Sequence, residues 1–409
     1  MGAINIKHTG SGSDVALSSD GTSLLLDGTA VGGGADLYAA NPSSATDPTA
    51  TGNNAIAIGN SVTATGSNST SVGSLSDATA NSASAFGPQT QATGVGATAI
   101  GWPSQASGNY SVSIGTNSGT NKSVSAGIAS FAAMGSYASG TDSLAAAIAN
   151  NTSSYGATGA NSIAMGETAK ATASGAIAMG KITQATATES VAIGRSASAT
   201  GANSVCLGWS SASSSHAIAA GMSQTASGYA SSAVGGRGNS ATGSYSATLG
   251  GYGAAARSGG EIAIGTGSTA YLGGKNQTRM THYLWKSTDA TAKQIHAGGS
   301  GSSSSSNTVL VEQNAAQVFK GQIIANVTAA GDTRAWDFKG CIKRAGAAST
   351  TTLVGTPVID DIAGDSGADN WVVALTADTT LGGLAVTVTG QASTTIMWNC
   401  FINFTDTEN

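Results

Sequence analysis

The chain is short of most of what catalysis and nucleic-acid binding need. Charged residues fill 9 % of its 409 positions and aromatics 5 %, where soluble domains usually carry about a quarter charged. Sixteen basic and 21 acidic residues leave a formal net charge of −5, and no Lys/Arg cluster marks the long middle region. The basic stripe that displaces counterions from a duplex is missing, so nucleic acid is not an expected partner. Five prolines beside 58 glycines exclude collagen and Pro-rich linkers. Cys206, Cys341 and Cys400 are too few for a disulfide scaffold. Their odd number fits a reducing compartment, and their expected role is small buried filler. No stretch reaches about 18 apolar residues, so no membrane-spanning helix is expected. The opening MGAINIKHTGSGSD lacks the cationic-then-apolar order of a signal peptide.

The scarcity of charge also empties the list of reactive groups. Between 51 and 270 the acids are Asp77, Asp142, Glu167, Glu189 and Glu261. Glu167 and Glu189 are 22 residues apart, out of phase with the repeat described next. No glycosidase-like carboxylate pair is therefore expected. His216 has no acid in sequence or in phase to complete a triad. His282 and His296 lack Cys, Asp or Glu at ligand spacing, and surface or packing roles suit them better than metal. The acidic run from Asp360 to Asp369 matches no Ca²⁺ loop and reads as a solvated loop. Neither a Walker loop nor a dinucleotide fingerprint is present. No enzymatic activity, cofactor or metal is expected.

What the chain does contain is a repeat. Short runs of small apolar residues end in glycine at Gly59, Gly73, Gly87, Gly101 and Gly115, every step being 14 residues. The register blurs between Gly127 and Asn150. It returns at Gly166, Gly180, Gly194 and Gly208, and continues through Gly221, Gly235, Gly250 and Gly265 at steps of 13 to 15. A second glycine series sits seven residues later, at Gly66, Gly94, Gly108, Gly201, Gly228 and Gly243. Such a period must be read before anything else. Ile56-Ala57-Ile58 alternates as a strand does, and Val62-Thr63-Ala64 alternates again with smaller side chains. A helix would not tolerate glycine every seven residues, and Asn-Gly or Asp-Gly hairpin turns are rare. Flexible linkers do not hold Ile, Val and Met in phase. Each coil thus has two short strands and two corners, and stacked coils form a β-solenoid over 51–270. Ile58, Val72, Phe86, Ile100 and Ile114 are expected to make one internal ladder, and Ala64, Ala78, Ala92 and Ala106 the facing one. So thin a core buries little against the entropy of ordering each coil. Self-association is therefore expected, with a trimer suiting a fibre.

The flanks differ. Residues 1–50 hold short apolar runs, then Gly32-Gly33-Gly34, Pro42 and Pro48, and read as an attachment or capping segment. Residues 271–306 break the repeat and read as a neck and Ser/Gly linker. Residues 307–409 carry about seven or eight strand-like runs, including Trp371-Val373-Leu375 and Leu384-Val386-Val388. They suggest an antiparallel β-sandwich or jelly roll with three tryptophans in its core.

The unit S-V-A-I-G-x-x-S-x-A-x-G, seen at Ser190-Val191-Ala192-Ile193-Gly194 and Asn161-Ser162-Ile163-Ala164-Met165-Gly166, resembles the head repeat of trimeric autotransporter adhesins. That resemblance implies a left-handed parallel β-roll, three rolls packed side by side, and an adhesive role at a bacterial cell surface. Ser287-Thr288-Asp289-Ala290 only faintly matches the neck of that family, and no heptad stalk or anchor is visible. The ends look instead like those of bacteriophage tail fibres, and Ala335-Trp336-Asp337-Phe338-Lys339-Gly340 resembles a segment common in phage structural proteins. The expected function is an all-β virion fibre protein, assembled in the host cytoplasm, released by lysis and mediating attachment. The alternative is a spacer or decoration that binds only other virion proteins.

Candidate contact residues follow from the corners. Trp102 and Trp209 directly follow Gly101 and Gly208, and Tyr252 lies near the same corner. Tyr110, Tyr229 and Tyr245 sit near the opposite corner. Outward rings there suit host surface polysaccharide or an outer-membrane receptor; packing against a neighbouring subunit is the alternative. Some 15 coils stacked at about 4.8 Å should give a rod on the order of 70 Å for the repeat region. Small-angle scattering checks this, and a globule or expanded coil would refute it.

Overall fold

The computed structural model describes residues 46–116, 122–146, 155–265, 276–328 and 331–408, together with four short strands before them. Gly32-Gly33-Gly34 and Pro42 lie outside the described residues. The chain divides into two compact units, Met1–Thr172 and Ala173–Asn409.

In the first unit, Ile4–Ile6, Val15–Ser19, Leu24–Leu26 and Thr29–Ala30 form a four-stranded antiparallel sheet. From Thr49 onward the chain is a parallel β-solenoid. One ladder stacks Ile56–Ile58, Thr70–Val72, Ser84–Phe86, Thr98–Trp102 and Val112–Thr116 in register. The other stacks Thr49–Ala50, Thr63–Ala64, Asp77–Ala78, Gln91–Ala92 and Ser104–Ala106. The blurred stretch of the sequence is solenoid too. Ile114 pairs with Ala133, Ala133 with Ala146, and Ala146 with Met165, across 19, 13 and 19 residues. Both long coils take their extra residues after the first strand, so the ladder itself is not shifted.

The interior corrects one expectation. Ala64, Ala78, Ala92 and Ala106 are buried, as the repeat implied, but the isoleucine column is not inside. Phe86 is 41 % exposed and Ile100 40 %, whereas the residues between the large ones, Ala57, Ser71, Ala85, Ala99 and Ser113, are fully enclosed. Alternation sends one parity inward, and the two strands of a coil lie so close that only Ala- or Ser-sized groups fit between them. Ile, Val and Phe therefore line the outer face of the first ladder.

The serine preceding many first strands is internal as well. Ser130, Ser143 and Ser162 donate from Oγ to the carbonyls of Gly127, Gly140 and Gly159 at 2.8, 2.7 and 2.6 Å, satisfying corner groups that face no water. The two glycine columns answer to different needs. Gly101 has φ +90°, a backbone conformation that L side chains rarely adopt. Gly94 has no such dihedral, but a Cβ there would overlap the carbonyl of Gly108 in the next coil.

The second unit continues the pattern by itself. Ile177–Met179, Val191–Ile193, Val205–Ala212, Ile218–Ala226, Ser232–Arg237, Ala247–Leu249 and Ile262–Gly265 stack in parallel. Ala178, Ala192, Cys206, Ala219 and Ala233 are buried inside. Then the direction reverses: Gln277–Ser287 pairs antiparallel with Ile262–Gly265 on one side and with Ile396–Glu408 on the other. Residues 277–287, placed with the neck in the sequence reading, are thus a strand of the C-terminal sheet. That sheet continues through Ala315–Val327, Thr333–Arg344 and Val358–Gly364, all antiparallel. A second antiparallel sheet joins Lys293–Gln294, Gly383–Thr389 and Val372–Asp378. Both sheets share one core containing Tyr283, Phe319, Trp336, Trp371, Val386 and Trp398. Trp336 stacks on Trp398 at 5.8 Å. Cys206 and Cys400 are buried, and burial pushes both thiols up; Cys341 is half-buried.

A buried ionic cluster joins the last coil to the C-terminal sheet. Arg279 Nε lies 2.6 Å from Asp406 Oδ2, and its Nη1 3.3 Å from Glu261 Oε1. Its Nη2 donates to the Leu310 carbonyl at 2.9 Å. Glu261 Oε2 accepts the N–H groups of Arg257 and Ser258, both at 2.7 Å. Burial holds the Asp406 carboxyl above its ordinary range, although Arg279 pulls it down. Removing the guanidinium would strand two enclosed carboxylates. Arg279→Met should therefore destabilise this unit by about 3–5 kcal/mol. Urea unfolding followed by the buried tryptophans checks it. An unpaired buried carboxylate has its folded pKa above its unfolded one, so the deficit should shrink in acid and grow as pH rises. A deficit independent of pH would contradict the assignment.

Candidate functional site

The corners of the solenoid are where side chains have no interior to enter. After each first strand the glycine turns the backbone, and the next residue points outward. In the first unit these positions carry Asn60, Ser74, Pro88 and Trp102. Trp102 is exposed, and its Nε1 donates to Gln89 Oε1 at 3.2 Å. Beside it a concavity of about 510 Å³ is lined by polar groups including Asp77, Gln89, Gln91 and Lys122.

In the second unit the same corner is richer. Ile193 pairs with Leu207, which sets Arg195 one coil before Trp209. Trp209 pairs with Met222, Met222 with Arg237, and Arg237 bridges to Tyr252. Five successive coils thus present Arg195, Trp209, Met222, Arg237 and Tyr252, all exposed. The Arg237 guanidinium lies over the Tyr252 ring, 5.9 Å from its centroid. Three enclosed side chains brace this corner from beneath. Ser210 Oγ donates to the Gly221 carbonyl at 2.9 Å, and Gln224 Nε2 to the Gly235 carbonyl at 2.9 Å. Asn239 Nδ2 donates to the carbonyls of Gly235 at 2.9 Å and Gly250 at 3.1 Å, while its Oδ1 accepts the Ala254 N–H at 2.8 Å. Elsewhere that inner position holds a smaller group, such as Thr90 or Thr183, bonded to the corner glycine of its own coil.

The opposite corner carries Tyr110 in the first unit and His216, Tyr229 and Tyr245 in the second. Tyr110 and Tyr245 have φ near +60°, at 59° and 60°. Tyr229 meets His216 and Tyr245 edge-on, at 5.6 and 5.4 Å. All six aromatic residues singled out from the sequence are exposed. The structure groups Trp209 with Tyr252, and Tyr229 with Tyr245. Trp102 and Tyr110 sit at opposite corners of the first unit.

Sequence reasoning missed Arg195, Met222 and Arg237. Phase could have found them, since each follows the first-strand glycine of its coil, Arg237 after one extra residue. The acidic run in the C-terminal sheet is internally engaged: Arg334 pairs with Asp361 and, at 2.9 Å, with Asp369, while Asp365 Oδ2 accepts the Thr333 N–H at 2.9 Å. Among the described residues, no group of three or more His, Cys, Asp or Glu could hold a metal ion. Also among them, no helix is long and apolar enough to cross a membrane. A further cavity of about 370 Å³ lies on the C-terminal sheet, lined in part by Lys320, Gln322, Asp337, Lys339 and Asn403.

Residues 49–61, 64–90, 78–102, 92–118, 157–181 and 185–211 match the YadA head domain repeat. No curated protein matches the chain. Among solved structures, it is similar to tailspike protein gp49 of Acinetobacter baumannii bacteriophage Fri1, a capsular polysaccharide depolymerase. Identity is 8 % and the TM-score 0.23, over 87 % of this chain and 71 % of that one. A likeness at that score carries no argument about fold or activity. The family match and the parallel 14-residue coils agree, and the solenoid is built of YadA head domain repeats.

Proposed function

We propose that this chain is the subunit of a homotrimeric fibre that attaches a bacteriophage virion to the surface of its host. The observation that carries the reading is the outer face of the first ladder. In the first unit it presents Ile56, Phe86 and Ile100, and in the second Ile193, Leu207 and Ile218, all exposed. The outer face of the second ladder is polar by contrast, with Gln91 and Gln105 in one unit and Gln184 and Ser198 in the other. An extended aliphatic face left in water marks an association surface, and repeating coils make it self-complementary along its length. The head repeats support three copies, as their resemblance implies, and an adhesive role. The virion setting, and contact with other virion proteins, rest on the likeness of residues 335–340 to phage structural proteins.

Sedimentation of the purified protein should return about three chain masses. Ile193→Asp should shift it toward single chains while leaving the β-sheet circular dichroism intact, because Ile193 is 40 % exposed within one chain. A folded wild-type monomer would reject the reading.

Attachment is checked separately, by adsorption of the purified protein to the host bacterium. Wild type should adsorb, and Trp102→Ala with Trp209→Ala should adsorb several-fold less if the corners make the contact. Unchanged adsorption by intact trimers would move the binding site to a terminal region. No adsorption by wild type would favour a spacer that binds only other virion proteins.

A further inference from the structure

The ridge at Arg195, Trp209, Met222, Arg237 and Tyr252 is unlike the rest of the solenoid surface, which is mostly Ser, Thr, Asn and Ala. We propose that it is a binding track for a linear, carboxylate-bearing polysaccharide lying along the stack of coils. The proposal rests on the attachment reading above and names the ligand class and the residues that take it.

Geometry comes first. Neighbouring coils are about 4.8 Å apart, so these five side chains mark a line of about 19 Å at regular steps. A linear glycan is itself a periodic ligand whose repeat is close to one coil. It can place one ring near each rung, which a compact ligand cannot do.

Chemistry narrows the class. Trp209 and Tyr252 offer flat apolar faces to the C–H-bearing faces of sugar rings, and Met222 fills the interval with a polarizable thioether. Arg195 and Arg237 offer planar forks that match a carboxylate through two hydrogen bonds. Among the described residues neither arginine has a carboxylate partner, and no acidic residue stands among the five. The Tyr252 ring holds the Arg237 guanidinium without neutralising it. The corresponding corner of the first unit, at Asn60, Ser74, Pro88 and Trp102, carries no charge.

Rigidity is the independent observation. Ser210, Gln224 and Asn239 are buried, and they pin the corner carbonyls of Gly221, Gly235 and Gly250 under the central rungs. Arg237 enters the line although its coil has one extra residue, because Asn239 gathers the widened corner around one amide. Support of this kind fixes side-chain spacing and lowers the entropy lost on binding.

A single-stranded nucleic acid is the competing polyanion, since it also stacks on rings and pairs with arginine. Two arginines over about 19 Å are sparse for a phosphate on every nucleotide, and the chain is net acidic. The observations favour the sparser charge of a uronate-containing glycan.

The test uses the intact protein and three immobilised probes: polygalacturonate, its fully methyl-esterified form, and a single-stranded oligonucleotide. Polygalacturonate should bind and weaken with salt, and esterification should abolish most of the binding. Arg195→Ala with Arg237→Ala should reduce affinity at least tenfold, and Trp209→Ala with Tyr252→Ala several-fold. Tyr110→Ala, on another corner, should leave it unchanged. All these positions are exposed, and circular dichroism with sedimentation verifies fold and assembly in each variant. No binding of polygalacturonate, equal binding of the esterified polymer, or insensitivity to the arginine pair would each overturn the proposal. Stronger binding of the oligonucleotide, lost in the same variants, would overturn it in favour of nucleic acid. Host-cell adsorption distinguishes this failure from that of the attachment reading: adsorption that persists without polyuronate binding refutes the track alone.

Discussion

Everything in the solenoid depends on how closely the two strands of one coil approach each other. The gap between them admits a methyl group from each side and little more. That constraint fills the interior with alanine, interrupted by serine and by Cys206, and it decides what the outside must be. A side chain as large as isoleucine has one direction left. The aliphatic columns that would form the core of a thicker protein become its outer wall, so the hydrophobic effect is only partly spent within a chain. Hydrogen-bonded ladders and hydroxyl-capped corners maintain the coil, and the largest apolar surface remains for contact with other molecules.

The period, the parallel stacking and the alanine ladder were legible because they follow from spacing and residue size. The direction of the isoleucines was not. A strand alternates with period two, and pattern alone does not say which parity is internal. Volume could have settled it: Ile56 and Ile58 flank Ala57, and only the middle residue suits a gap that Ala64 must share. The blur near Gly127 had a different source, since two coils of 19 residues carry additions at one corner while their ladder pairs remain intact.

The C-terminal region was legible as antiparallel strands with buried tryptophans, because its alternation is strong. The role of Gln277–Ser287 was hidden. Its partners lie on the last coil and near the chain end, and Arg279 reads as an isolated cation until Glu261 and Asp406 meet it. The basic and aromatic ridge was hidden for the same reason. Arg195 and Arg237 are 42 residues apart, and only coil stacking makes them members of one line.

The two long coils have a practical meaning. Both receive their additional residues at the corner after the first strand, and the rungs above and below keep their pairing. That corner is therefore a neutral acceptor of new sequence. A gene encoding such a chain can vary what it displays there by small in-frame insertions without redesigning the scaffold, and a foreign peptide grafted at that position would inherit the same tolerance. Variation in surface chemistry is in this way separated from the requirement to fold.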